Sequence, residues 1–230
     1  MTITAHRIAA ASGLCAAVAG AIFIGVQIGH PHLDSTSIRT TEMAVRGSLK
    51  LLMAVLSLVG ITGMYLTQVR RNGWLGLVGF VVLAIGYLCL VGTAFIATFV
   101  LPVIAGSEPA YVDDMIAVAT GGTPTGDIGP YAVVARVQDI GYLLGGLIFG
   151  VALFRARVLW RWASLLLAVG GVVTVVLSVL PDPFYRLLAF PNGIAMIGLG
   201  VCLWRGRRTR RVDETSLPSE DVAPVSQVLR

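Results

Sequence analysis

The chain has 230 residues, of which 56% are hydrophobic and 13% charged, with a formal net charge of +5. A soluble domain carries about 25% charged residues, so this chain has too little charge to wet a globular surface. The same figures exclude intrinsic disorder, a coiled coil and a secreted disulfide scaffold.

The apolar surplus comes in blocks. An α-helix needs about 20 apolar residues to cross a hydrocarbon core ~30 Å thick, and six stretches qualify: 8–29, 47–67, 74–104, 131–154, 160–180 and 187–204. None shows the strict alternation of a membrane β-strand. The expected fold class is all-α, a polytopic bundle of six transmembrane helices spanning residues 1–204. Residues 205–230 form a tail, first basic and then acidic, that is read as disordered beyond Arg211.

The first block has only Arg7 before it and exceeds the 7–15 apolar residues of a signal-peptide core, so it is expected to stay as a helix. Leu14 is too bulky to precede a lipidated Cys15. His30, His32 and Asp34 are metal-ligand types, but no further ligand stands at suitable spacing, and they read as a polar loop. Ahead of and within the second block, Arg39, Glu42, Arg46 and Lys50 recur at spacings of three, four and four. That places them on one helical face, continued inward by Met53 and Ser57, with Asp34 or Ser35 as the expected N-cap. The third block is over-long and contains Pro102, so it should tilt or end near Phe99.

The loop 105–130 has no Lys or Arg but holds Glu108, Asp113, Asp114 and Asp127. Its glycine-rich part, 121–126, lacks the Gly-Lys-Ser/Thr ending of a phosphate loop and reads as flexible. The fourth block holds Arg136, Asp139 and Tyr142. Asp139 is about nine residues past Pro130, hence ~13 Å deep at 1.5 Å per residue. Gly141 and Gly145, then Gly146 and Gly150, form two small-xxx-small patterns that let neighbouring backbones approach. Gly76, Gly79 and Gly86 suggest a second close contact. Between the last two blocks, the 181–192 turn carries Asp182, Tyr185, Arg186 and Asn192, which can cap the bundle.

Arginines set the orientation. Arg7, Arg70, Arg71, Arg155, Arg157, Arg161 and the Arg205–Arg211 cluster fall at one end of the expected bundle, which the positive-inside rule places in the cytoplasm with both termini. The four tryptophans, Trp74, Trp160, Trp162 and Trp204, fall at the same end as interfacial anchors. The adjacent anionic partner is membrane lipid, and no nucleic-acid role is expected. Cys15, Cys89 and Cys202 sit on three different blocks and offer neither a disulfide framework nor a metal pair.

Charges inside a membrane are costly and are functional suspects. If the second and fourth helices face each other, Glu42, Arg46, Lys50, Arg136 and Asp139 meet in the outer half of the bundle. Such a network can pin helices together through the pairs Glu42–Arg46 and Arg136–Asp139. Alternatively its three cations against two anions invite an anionic ligand, and its carboxyls offer proton chemistry.

The span lengths, Arg70-Arg-Asn-Gly-Trp74, Pro102-x-x-x-Gly106, Tyr111-Val-Asp-Asp114 and Gly141-Tyr-Leu-Leu-Gly-Gly146 resemble a group of small six-span membrane proteins of high-GC bacteria to which no activity is assigned. A weaker likeness, of size, span count and acid placement without a diagnostic motif, is to bacterial integral membrane terpene cyclases. That likeness implies protonation of a lipophilic polyene by an intramembrane acid, and carries no residue over by position.

Three classes of function follow. In an inner-membrane isoprenoid cyclase or isomerase, Asp139 or Glu42 is the catalytic acid, and Tyr87, Tyr142, Phe95 and Phe99 shield a carbocation. Arg46, Lys50, Arg136 and Asn192 complete the substrate site, and no cofactor or metal is called for. A transporter would use the same stripe for a small anion or for protons. An accessory or immunity protein would use its glycine faces to bind a second copy or another membrane protein.

Overall fold

A backbone without water must satisfy its own N–H and C=O groups, which makes helices of long apolar blocks. The computed structural model describes residues 5–178 and 189–216, and every α, 3-10 or π element among them is helical. The helices are α1 (Ala5–Gly25), α2 (Thr41–Leu66), α3 (Val69–Phe95), α4 (Leu101–Ile104), α5 (Pro109–Ala119), α6 (Tyr131–Ala156), α7 (Arg161–Ser178) and α8 (Ala189–Ser216). Among the described residues, His6–Gly25, Thr41–Leu66, Val69–Ile104 and Tyr131–Ala156 are long and apolar enough to cross a membrane, and Arg161–Val172 is apolar but shorter.

Several ends differ from the expected ones. α2 starts at Thr41, and its N-cap is Thr40, whose side chain accepts from the Met43 N–H at 3.4 Å. Asp34 instead caps the 3-10 turn Ser37–Arg39, taking the N–H groups of Thr36 and Ser37 at 2.8 and 2.6 Å. α3 begins at Val69 but is broken at Gly73, whose φ of 55° favours glycine. Its straight body therefore starts at Trp74, where the apolar block starts. Towards its other end α3 widens into a π-turn, Ile96–Val100, just before Pro102, which has no N–H to give the ladder.

Two helical segments have no counterpart in the expected fold. The loop 105–130 contains α5, whose Val112, Met115 and Ile116 pack with Ile38, Leu101, Ile128 and Ala135 into a small apolar core at that end of the bundle. α8 continues to Ser216, beyond the point where apolar periodicity stops. Residues 217–230 of the expected tail lie outside the described residues.

Packing follows a closed ring: α1 on α2, α2 on α3, α3 on α6, α6 on α7, α7 on α8 and α8 on α1, with α3–α6 the most extensive contact. Glycine makes that seam. A Cβ on Gly86 would lie 2.7 Å from the Tyr142 amide nitrogen, and one on Gly79 would lie 2.5 Å from that of Phe149. The two patterns on α6 serve two partners. Gly141 and Gly145 abut α3, whereas Gly146 and Gly150 abut α7. Outward faces are apolar, with Leu52, Val55 and Val59 on α2 and Val78, Val81 and Ile85 on α3 all exposed. Small residues at seams and bulky apolar ones outside suit a bundle solvated by lipid.

Inside the ring, Ile61, Met64, Leu83, Phe149, Leu153 and Leu199 form a fully buried apolar plug. It occupies the half nearer the arginine-bearing turns.

Candidate functional site

The polar stripe of α2 does face inward. Arg46, Lys50, Met53 and Ser57 follow one another at helical spacing, and the last two are buried. Glu42 was legible from spacing as the partner of Arg46, but the partners on other segments were not. Arg46 donates from Nη1 to the carbonyls of Val26 and Ile28 at 2.8 and 3.1 Å, and from Nη2 to Gly29 at 3.2 Å. Its Nε reaches Glu42 Oε1 at 2.9 Å, and Nη2 reaches the same oxygen at 2.8 Å. The last carbonyls of a helix have no intrahelical partner and favour a cation. The guanidinium expected to bind substrate is thus committed to the end of α1. One turn on, Lys50 Nζ lies 3.3 Å from His30 Nε2.

Below these lies an aromatic layer. Tyr87 of α3 is 2% exposed and meets half-buried Tyr142 of α6 edge-on, with centroids 5.3 Å apart. Its hydroxyl hydrogen-bonds with the side chains of Tyr142 and Ser57. Phe23 of α1 approaches Tyr142 at 6.5 Å, also edge-on. Four helices therefore converge on this layer. Beside it, Thr93 donates to Gln138 Oε1 at 2.5 Å across the α3–α6 seam, a contact that neither residue's position announces.

Asp139 follows buried Ala135 by four residues and precedes half-buried Tyr142 by three, so it shares their side of α6, one turn nearer the 105–130 loop than Tyr142. It is exposed, and among the described residues it has no hydrogen-bond or ion-pair partner. The pair expected with Arg136 is not formed there, although the spacing allows it; Arg136 is exposed one turn nearer Pro130. The pair Glu42–Arg46 is formed, with Glu42 itself exposed.

The two charged stripes do not join. α2 packs on α1 and α3, while α6 packs on α3 and α7, and no hydrogen bond or ion pair links Glu42, Arg46 or Lys50 to Arg136 or Asp139 among the described residues. Phe95 lies 5.2 Å from Phe99 on the outward side and is 51% exposed, so it stands apart from the tyrosine layer. Asn192 is buried against Gly170, between α8 and α7. Asp182, Tyr185 and Arg186 lie outside the described residues.

The end of the ring above this site is tied down by carboxylates. Asp113 accepts from the Ser35 N–H at 2.7 Å, and Asp114 accepts from the N–H groups of Thr125 and Gly126 at 2.7 and 2.8 Å. These backbone donors hold the Asp114 carboxyl below its usual pKa. The glycine-rich stretch expected to be flexible is therefore anchored at its far end. Comparison with protein-family models, curated proteins and solved structures finds no match to this chain.

Proposed function

We propose that this chain is a six-span inner-membrane enzyme, with its arginine-bearing end in the cytoplasm, that uses Asp139 to start the cyclisation or isomerisation of a lipophilic isoprenoid. The observation that carries this reading is a carboxyl on the side of α6 that bears buried Ala135 and half-buried Tyr142, which no cation neutralises among the described residues. Ionisable groups in that setting are functional by default. Glu42, by contrast, is engaged by Arg46 and reads as part of the α1 cap.

The carboxyl of Asp139 gives its proton to an alkene or epoxide of the substrate. Positive charge then develops over the π-faces of Tyr142 and Tyr87, which attract a cation. Loss of a different proton back to the Asp139 carboxylate closes the cycle, so the product is an isomer and no cofactor is consumed. A transporter would need polar groups that continue through the ring. Here the path meets Leu83, Phe149, Leu153 and Leu199 instead.

Membranes containing the protein are to be incubated with linear prenyl alcohols, their epoxides and prenylated indoles, then analysed by chromatography with mass detection. A product of unchanged mass is expected. Asp139→Asn should lower its rate by about 10²–10⁴-fold, the usual share of a general acid, while Glu42→Gln retains it. Folded protein that yields no isomer from any of these substrates refutes the reading.

A further inference from the structure

Away from Asp139, at the arginine-bearing end, a pocket of about 600 Å³ opens between the α2–α3 turn, the α6–α7 turn and α8. That volume lies within the ordinary range of small-ligand sites. Leu66, Val158, Leu159 and Leu203 form apolar walls, and Gln68, Arg70 and Arg71 supply polar groups. Among the described residues, no carboxylate lines it. Arg70 and Arg71 are exposed and have no hydrogen-bond or ion-pair partner among the described residues.

Arginines at this end are explained by topology alone. Gln68 is not. It is 3% exposed, its Nε2 donates to the Met64 carbonyl at 3.2 Å, and its Oε1 is buried with no partner. Turning the amide over would set Oε1 against a carbonyl, so the unpaired atom is the acceptor. A buried acceptor left unpaired is costly; this one is closed off from the pocket although its residue lines the wall, so a ligand donor meets it when the Gln68 side chain turns into the cavity.

We propose that this pocket binds a phosphate ester bearing hydroxyl groups: the phosphate on Arg70 and Arg71, a hydroxyl donating to Gln68 Oε1. Guanidinium groups match phosphate oxygens. Gln68 requires a donor from the ligand, and with two arginines and no carboxylate among the described wall residues an ammonium is disfavoured. A hydroxyl meets both conditions. This phosphoglycerol chemistry has two sources, the headgroup of phosphatidylglycerol and a soluble glycerol phosphate. The apolar walls provide a bed for the glycerol backbone and first acyl carbons of the lipid.

The test is native mass spectrometry of the purified full chain with phosphatidylglycerol or phosphatidylmethanol. These carry the same charge and phosphodiester, and only the first has headgroup hydroxyls. Phosphatidylglycerol should be retained roughly tenfold better, the worth of one hydrogen bond to a buried acceptor. Gln68→Met, similar in length but without the acceptor, should erase that preference. Arg70→Gln with Arg71→Gln, at exposed positions that folding does not need, should weaken both lipids roughly tenfold. Soluble glycerol phosphate is added as a competitor. Displacement of the lipid identifies the free ester as a ligand, and no displacement identifies the lipid headgroup. Equal retention of the two lipids, or a preference that survives in Gln68→Met, overturns the proposal, as does binding of none of the three. Should Gln68→Met fail to fold, the wild-type lipid preference and the arginine variants still decide.

Discussion

At the end of the ring near the 105–130 loop, Arg46 spends its guanidinium on three carbonyls and Glu42, Asp34 caps its own turn, and Asp113 and Asp114 take backbone N–H groups. At the arginine-bearing end, Gln68 Oε1 and both side-chain polar atoms of Asn72 are buried without partners, and Arg70 and Arg71 stand unpaired among the described residues. Buried polar groups are nearly always hydrogen-bonded, so the contrast is informative. At the first end no buried side-chain N or O atom is without a partner among the described residues, and the groups that stand unpaired, Asp139 and Arg136 among them, are exposed. At the second, buried polar atoms of Gln68 and Asn72 are left unpaired. A carboxyl without a cation on one side points to chemistry, and a buried orphan acceptor on a residue that lines a cationic pocket points to a ligand.

Both ends depend on the ring that holds them apart, so the largest expected effect is at its tightest seam. Gly86→Ala puts a Cβ 2.7 Å from the Tyr142 amide nitrogen and 2.9 Å from the Gly141 carbonyl carbon. Backbone cannot yield as a side chain does, and overpacking of this kind costs about 3 kcal/mol. It should also displace Tyr142 and with it the layer beneath Asp139. Gly92→Ala, on the same helix, meets nothing within 4 Å and should be neutral to slightly stabilising. Unfolding of the two variants in mixed micelles checks the difference. Equal losses would mean that α3 and α6 are not held by this register.

The next effect separates a cap from a ligand-binding cation. Arg46→Ala leaves the carbonyls of Val26, Ile28 and Gly29 without their donor and should cost about 2 kcal/mol, as hydrogen bonds from a charged group do. Glu42→Gln removes only an exposed ion pair and should cost about 0.5 kcal/mol. If the two losses are alike, the ion pair rather than the cap is what Arg46 contributes. Arg46→Lys should recover only part of the loss, because an ammonium lacks the fork that spans three oxygens.

Much of this fold was legible because its causes are local. Block length makes α1, α2, α3 and α6 long helices, and the four glycines of α6, in two registers, do meet two different neighbours. The inward stripe on α2 was legible from spacing for the same reason. The pair Glu42–Arg46 was legible too, but partners on other segments were not, because periodicity names a face and never what lies opposite. Nothing local says that Arg46 reaches the end of α1, or that Arg136 leaves Asp139 alone. α5 was missed since 11 residues among prolines, glycines and acids resemble a loop until Ile38 and Ile128 cover their apolar side. Gln68, at the end of an apolar block, reads as an interfacial residue. Nothing local says that it is buried, with its amide turned back on the Met64 carbonyl.

The smallest effect tests how self-contained the loop end is. Asp114 lies outside the long helices and fastens Thr125 and Gly126 to α5 through two N–H groups and the Thr125 hydroxyl. These donors favour the ionised carboxylate, so its pKa in the folded chain lies below the ordinary value of 3.8. The sign follows from that ordering. Protons bind the unfolded or opened loop first, so the fastening is fully present above the ordinary value and is lost as pH falls through the lower, folded one. Amide exchange at Thr125 and Gly126 should accelerate in that acid window while the buried amides of α3 and α6 do not change. Asp114→Asn should show fast exchange at those two amides already at neutral pH and no further acceleration on acidification. If the wild-type amides exchange at a constant opening ratio down to pH 2, the 121–126 stretch is held by something other than this carboxylate, and this loop is not fastened as the rest of that end is.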